Sequence, residues 1–143
     1  MRNIERTKEM FLKVIWSHLN TPYIWGGDDF SGFDCSGLAI EGLQAIGYFS
    51  LRSDATANGL WTRFQGKEVD RATAGCLLFW FNKESQAYHV AVAVDPEHCI
   101  TADGGGSKTT SIEKAIEQNA YIKIRRIDHR NTYPRIVNIF QEE

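Results

Sequence analysis

The order of texture along this 143-residue chain predicts an α+β fold, because helical periodicity fills its first half and strand-like runs fill its second. Two further observations sharpen that reading. After Ala74-Gly75, buried apolar runs alternate with tight turns, the pattern of an antiparallel sheet. And Cys35 stands between a stretch rich in glycine and aspartate (Gly26, Gly27, Asp28, Asp29, Gly32) and an apolar periodic one. The expected architecture is a set of N-terminal helices covering a C-terminal antiparallel sheet, with a cysteine at a helix N-terminus.

Each element has its own signal. Residues 4–19 carry Ile4, Met10, Phe11, Val14, Ile15 and Leu19 at helical spacing, stopped by Asn20-Thr21-Pro22. From Ser36 to Ile46 the apolar positions Leu38, Ile40, Leu43 and Ile46 predict a second helix, ended by Gly47. A third helix is expected over 54–64, with Ser53 or Asp54 as N-cap and Leu60, Trp61 and Phe64 as its apolar stripe. Cys76–Phe81 and Tyr88–Val94 read as buried strands, and Asp95-Pro96-Glu97 turns into a strand from Cys99 to Ala102. Gly104–Gly106 breaks the pattern, and Thr110 with Glu113 offers a capping box for a short helix reaching about Asn119. Tyr121–Ile127 and Arg135–Phe140 read as closing strands.

Composition narrows the function classes. The length suits one domain over residues 1–143 with a core that needs no staples. A net charge of −2 gives no reason to expect nucleic acid. Lys123, Arg125 and Arg126 alternate with Ile122, Ile124 and Ile127, which predicts the solvated face of a strand. No apolar run is long enough to span a bilayer, and the start MRNIERTKEM lacks a signal-peptide core. The expectation is a chain that stays where it is made unless another system exports or carries it. Oligomeric state is left open.

Three cysteines, Cys35, Cys76 and Cys99, support neither a disulfide framework nor a zinc site. Cys76 and Cys99 lie in strand-like runs and are expected in the core. His98 beside Cys99 makes no metal pair, because neighbouring strand residues point to opposite faces. Cys35 is different: free N–H groups and the positive end of a helix dipole favour a thiolate there. A thiolate nucleophile needs a base. His18, inside the first helix, His98, in a turn, and His129, in the loop Asp128-His129-Arg130-Asn131, are expected to be solvated. His89 opens the buried run HVAVAV and is the candidate that could face the thiol.

The strings PYIWGG and FDCSGL, a strand similar to GDLLFF and a strand opening His-Val together resemble the NlpC family of papain-like cysteine peptidases, over about residues 8–106. That resemblance implies a papain-like fold and hydrolysis of peptidoglycan stem peptides at the bond between γ-D-glutamate and the adjoining diamino acid. It implies Cys35 as nucleophile, His89 as general base, Tyr23 as a hydroxyl near the thiol, and Asp34 with Ser36 as holders of the substrate's free amine. Asp34 and Ser36 also suit helix N-capping, and both roles can hold together. No metal or organic cofactor is implied.

Two positions depart from the family's pattern. Gly75-Cys76 stands where Gly-Asp is usual, a packing change only. The third catalytic position, usually histidine or another polar group, falls on Thr101, which brings no charge. Asp103 would share its strand face, so Thr101, Asp103 or neither is open, with Thr101 favoured by position. The leading function is a cysteine endopeptidase working through a thioester. The rivals are an amidase or acyltransferase on another substrate, or a weakly active or inactive wall-binding or virion component. A phage lysis or tail system and cytoplasmic recycling of wall peptides both fit a chain without a leader.

Overall fold

The computed structural model describes residues 3–25, 28–29, 32–51, 54–103 and 108–141, with 28–29 and 32–33 described as backbone only. Gly26, Gly27, Ser53 and Gly104–Gly106 lie outside the described residues.

Helix α1 (Ile4–Ser17) starts at Asn3, whose side chain accepts from the Arg6 N–H, and buries Phe11 and Ile15. After it the chain turns back through Asn20, at φ 72°, and runs along a strand edge: Asn20 and Tyr23 donate to the carbonyls of Ile122 and Ala120 at 2.8 and 2.9 Å. Tyr23 is thereby tied to the sheet rather than to a helix. A two-stranded ribbon, β1 (Asp28–Asp29) and β2 (Gly32–Phe33), leads into helix α2 (Cys35–Ala45).

α2 is the central helix, buried from Ser36 to Ile40 and again at Gly42 and Leu43. α1 crosses it closely at Gly42, where a Cβ would stand 2.6 Å from a ring carbon of Phe11; only glycine permits that approach. Gly47, at φ 77°, ends the helix as expected, and the Tyr48 N–H returns to the Leu43 carbonyl. Helix α3 (Ala57–Phe64) begins later than expected. Its cap is Thr56, which accepts from the Gly59 N–H at 3.0 Å, while Asp54 bonds the Ala55 N–H instead.

The sheet has six antiparallel strands in the order β3-β8-β4-β5-β6-β7, namely β3 (Glu68–Val69), β4 (Leu77–Phe81), β5 (Ala87–Ala93), β6 (His98–Asp103), β7 (Tyr121–Arg126) and β8 (Arg135–Val137). Between β6 and β7 lies the short helix α4 (Ile112–Glu117), capped by Ser111 rather than by Thr110, because the Ser111 hydroxyl takes the Lys114 N–H. β8 is shorter than expected: the Asn138 side chain accepts from the Phe140 N–H and turns the chain out of the ladder. In β7 the alternation holds for buried Ile122 but not for Ile124, which is 45 % exposed near the sheet's outer edge.

The sheet is buried on both faces. Leu77, Phe79, Val90, Val92 and Ile100 pack under the helices with Phe11, Leu38 and Leu43. Leu78, Trp80, Ala91, Ala93 and Cys99 form a second cluster on the reverse face. Alternation along β4 and β5 accounts for the division. Cys76 and Cys99 are fully buried, as their runs predicted. Among the described residues no helix is long and apolar enough to cross a membrane.

Candidate active site

The cysteine side of the site comes from one short stretch. Asp34 is the N-cap of α2, its Oδ1 accepting from the Gly37 N–H at 2.8 Å and from the Ser36 hydroxyl at 3.3 Å. Cys35 is consequently the first helical residue, where a backbone N–H has no intrahelical acceptor. Tyr23 is buried nearby. Burial, then the neighbouring Cys35, Asp34 and Asp103, hold its phenol well above the usual range, so it persists as a neutral O–H donor.

The histidine side comes from the sheet. Trp80 pairs with His89 and Phe81 with Ala87, so Tyr88 is an extra residue that bulges outward, 49 % exposed. Directly after that bulge, His89 is buried on the Trp80 face, with its Nε2 2.7 Å from the hydroxyl of fully buried Thr101. Asp103, two residues further along β6, meets other partners: Arg125 and Arg130 each donate to its carboxylate at 3.1 Å, and His129 Nε2 lies at 3.8 Å.

The two sides meet where β5 and β6 part. Their ladder registers Val92 with Ile100 and Ala93 with Cys99, and no pair is registered further toward His89. The Ala93 N–H points to β4, bonding the Cys76 carbonyl, so the Val90 N–H points toward the β6 side. α2 packs against both β5 and β6, and Cys35 lies near enough to Val90 for that N–H to favour its thiolate. The thiol is therefore near the residue adjacent to His89.

The expectation of a resting thiolate is corrected. Cys35 is half-buried, and loss of solvent pushes its thiol up to about 11. The N–H groups of Val90 and Ser36 and the charge of Arg130 oppose that push, Asp34 adds to it, and desolvation prevails. Burial likewise drives His89 down to about 3, with Arg130 and His129 adding and Asp103 opposing. The free pair is held as neutral thiol and neutral imidazole. An ion pair formed between them would recover part of that cost through mutual attraction.

Two other histidines depart from expectation. His18 is buried at the C-terminus of α1, where the chain folds back on the sheet, and His129 is covered by the edge of Trp80, its ring centroid 5.5 Å away. His98 is part-exposed and pairs with Asp95 at 3.0 Å. Arg125, expected in solvent, turns in to Asp103. Trp80, Arg130 and the Val90 N–H escaped the sequence reading; Trp80 was visible only as one aromatic within a buried run. Among the described residues no three His, Cys, Asp or Glu side chains gather as a metal site.

A cysteine opening a buried central helix, set against an antiparallel sheet that carries a histidine, defines the papain-like class. The chain belongs to the NlpC/P60 family, whose model matches residues 20–126. It is 28 % identical over 108 residues to the probable peptidoglycan endopeptidase LytE of Bacillus subtilis, covering 76 % of this chain and 31 % of that protein. It is 37 % identical over 78 residues to the γ-D-glutamyl-L-lysine dipeptidyl-peptidase of the same organism, covering 53 % of this chain and 25 % of that one. Among solved structures it resembles the NlpC/p60 domain of the peptidoglycan hydrolase SagA, with a TM-score of 0.64 and 26 % identity over 92 % of this chain and 98 % of that domain. The chain spans about a third or less of the length of the curated relatives it matches.

Proposed function

We propose that this chain is a cysteine endopeptidase that hydrolyses peptidoglycan stem peptides at the γ-D-glutamyl–diamino acid bond. The observation that carries the reading is the convergence of a helix-opening Cys35 on the strand of His89, whose far nitrogen bonds Thr101, within a chain of this family. The name of one relative, a γ-D-glutamyl-L-lysine dipeptidyl-peptidase, supports the choice of bond.

In this mechanism Nε2 is engaged by Thr101, which leaves His89 Nδ1 to take the proton from Cys35. The sulfur attacks the γ-carbonyl carbon, and the tetrahedral oxyanion is held by the Cys35 backbone N–H and the Tyr23 hydroxyl. His89 returns the proton to the departing amine, leaving a thioester on Cys35. Water, activated by the same imidazole, then releases the acid. Asp34 and Ser36, beside the nucleophile, receive the free amine of the stem peptide through a charge-assisted hydrogen bond.

The test is parallel digestion of purified peptidoglycan and soluble muropeptides, with mass spectrometry of the products. New γ-D-glutamyl carboxyl termini and new diamino-acid amino termini are expected. Release of ammonia from side-chain amides, or acyl exchange without hydrolysis, would replace this reading with the amidase or acyltransferase one.

A further inference from the structure

The hydrogen bond from His89 to Thr101 is a weak hold on an imidazole that must keep one nitrogen toward the thiol. It joins neutral partners through a single hydroxyl, and the ring has two broad orientations about its last torsion. Behind it the structure places something firmer. Trp80, fully buried and directly across the β4–β5 pair from His89, packs its ring 5.4 Å from the imidazole at an angle of 53°.

Trp80 is itself held from the segment joining β7 to β8. Its Nε1–H donates to the Thr132 carbonyl at 2.9 Å, and His129 meets it edge-on. The Arg130 guanidinium lies 5.6 Å from the Trp80 ring and 5.7 Å from that of Tyr88, the residue preceding His89. Arg130 is anchored in turn by Asp103, on the same strand as Thr101. The contacts close a circuit: Thr101, His89, Trp80, Arg130, Asp103, and back along β6.

We propose that Trp80 is a positioning residue for His89, clamped from the β7–β8 segment by Thr132, His129 and Arg130 so that the imidazole keeps Nε2 on Thr101 and Nδ1 toward Cys35. The proposal rests on the reading of His89 as the general base. It also gives Asp103 a part: its carboxylate secures the outer end of the clamp through Arg130.

The test reads the imidazole itself. In Cys35→Ala protein, long-range proton–nitrogen correlations of His89 should show one neutral tautomer, with the proton on Nε2. Trp80→Leu removes the ring, and Arg130→Gln, at a part-exposed residue, loosens the clamp without emptying the core. Either should convert the single tautomer into an exchanging mixture. With Cys35 present, each should lower kcat roughly tenfold or more, the scale of a small misplacement in a reacting pair, while KM stays within about twofold. If Trp80→Leu fails to fold, Arg130→Gln decides. Folded variants that keep one tautomer and the parent kcat, losing only thermal stability, overturn the proposal. Turnover surviving in both Cys35→Ala and His89→Ala instead overturns the underlying reading of the site, an outcome the tautomer measurement does not depend on.

Discussion

The cysteine half of the site and its histidine half are built in opposite ways. Asp34, Cys35, Ser36 and Gly37 are consecutive, and one capping carboxylate organises them. His89, Thr101, Trp80, Asp103 and Arg130 come from three strands and a connecting segment, joined only by tertiary contacts. The first half forms wherever the helix starts correctly. The second exists only when the sheet register and the β7–β8 segment are both in place. Damage to the first half should therefore appear as lost binding or chemistry in a folded protein, and damage to the second as coupled losses of activity and stability.

The largest effect that sharpens this contrast is expected at Asp34. Asparagine caps a helix about as well as aspartate, so Asp34→Asn should leave the melting temperature nearly unchanged. It removes the charge proposed to hold the substrate amine, and kcat/KM should fall by about 1.5–3 kcal/mol in transition-state terms. Stem peptides with free and N-acetylated termini provide the check: equal cleavage of the two by the parent protein removes Asp34 from substrate recognition.

Thr101 and Asp103 come next and test the histidine half. Thr101→Val leaves His89 Nε2 buried without its partner, at a cost of about 1–3 kcal/mol in stability together with a lower kcat. Asp103→Asn takes an ionised partner from two guanidiniums, so its first effect should be on denaturant midpoint, with kcat following through Arg130. Urea titration and steady-state kinetics on both variants separate these outcomes. A stable Asp103→Asn protein without turnover would place Asp103, and not Thr101, as the group acting on His89.

The last effect is on pH. His89 ordinarily titrates near 6.5 but is driven down to about 3 by burial, and His18 and His129 are lowered for the same first reason. The unfolded chain then takes up protons before the folded one does. The stability that neutral His89 contributes is complete above about 6.5 and is lost as pH falls toward about 3. Thermal melts should show stability falling steadily as the pH drops from about 7 to about 4. A flat profile would mean that His89 is solvated.

Legibility in the sequence followed the same division. Helix periodicity, Gly47 as a terminator and the buried cysteines of the sheet depend on near neighbours, and the structure has them as expected. Caps were legible only to within a few residues, because Asp54 and Thr56, or Thr110 and Ser111, carry the same chemistry and compete for one helix start. The thiol's resting state was misread because a helix N-terminus is visible in sequence, whereas the desolvation that outweighs it comes from distant strands. His129 and Arg130 gave no signal for the same reason: their meaning depends on Trp80, far away in the chain.

The central claim is that Cys35 is the nucleophile, and it is tested most directly by intact-protein mass spectrometry of the enzyme quenched during turnover of a muropeptide, alongside Cys35→Ala. The account predicts a hydroxylamine-labile acyl adduct that maps to Cys35 and no adduct or product from the variant, which should melt like the parent. Substantial turnover by Cys35→Ala, or an adduct on Cys76 or Cys99, would contradict it.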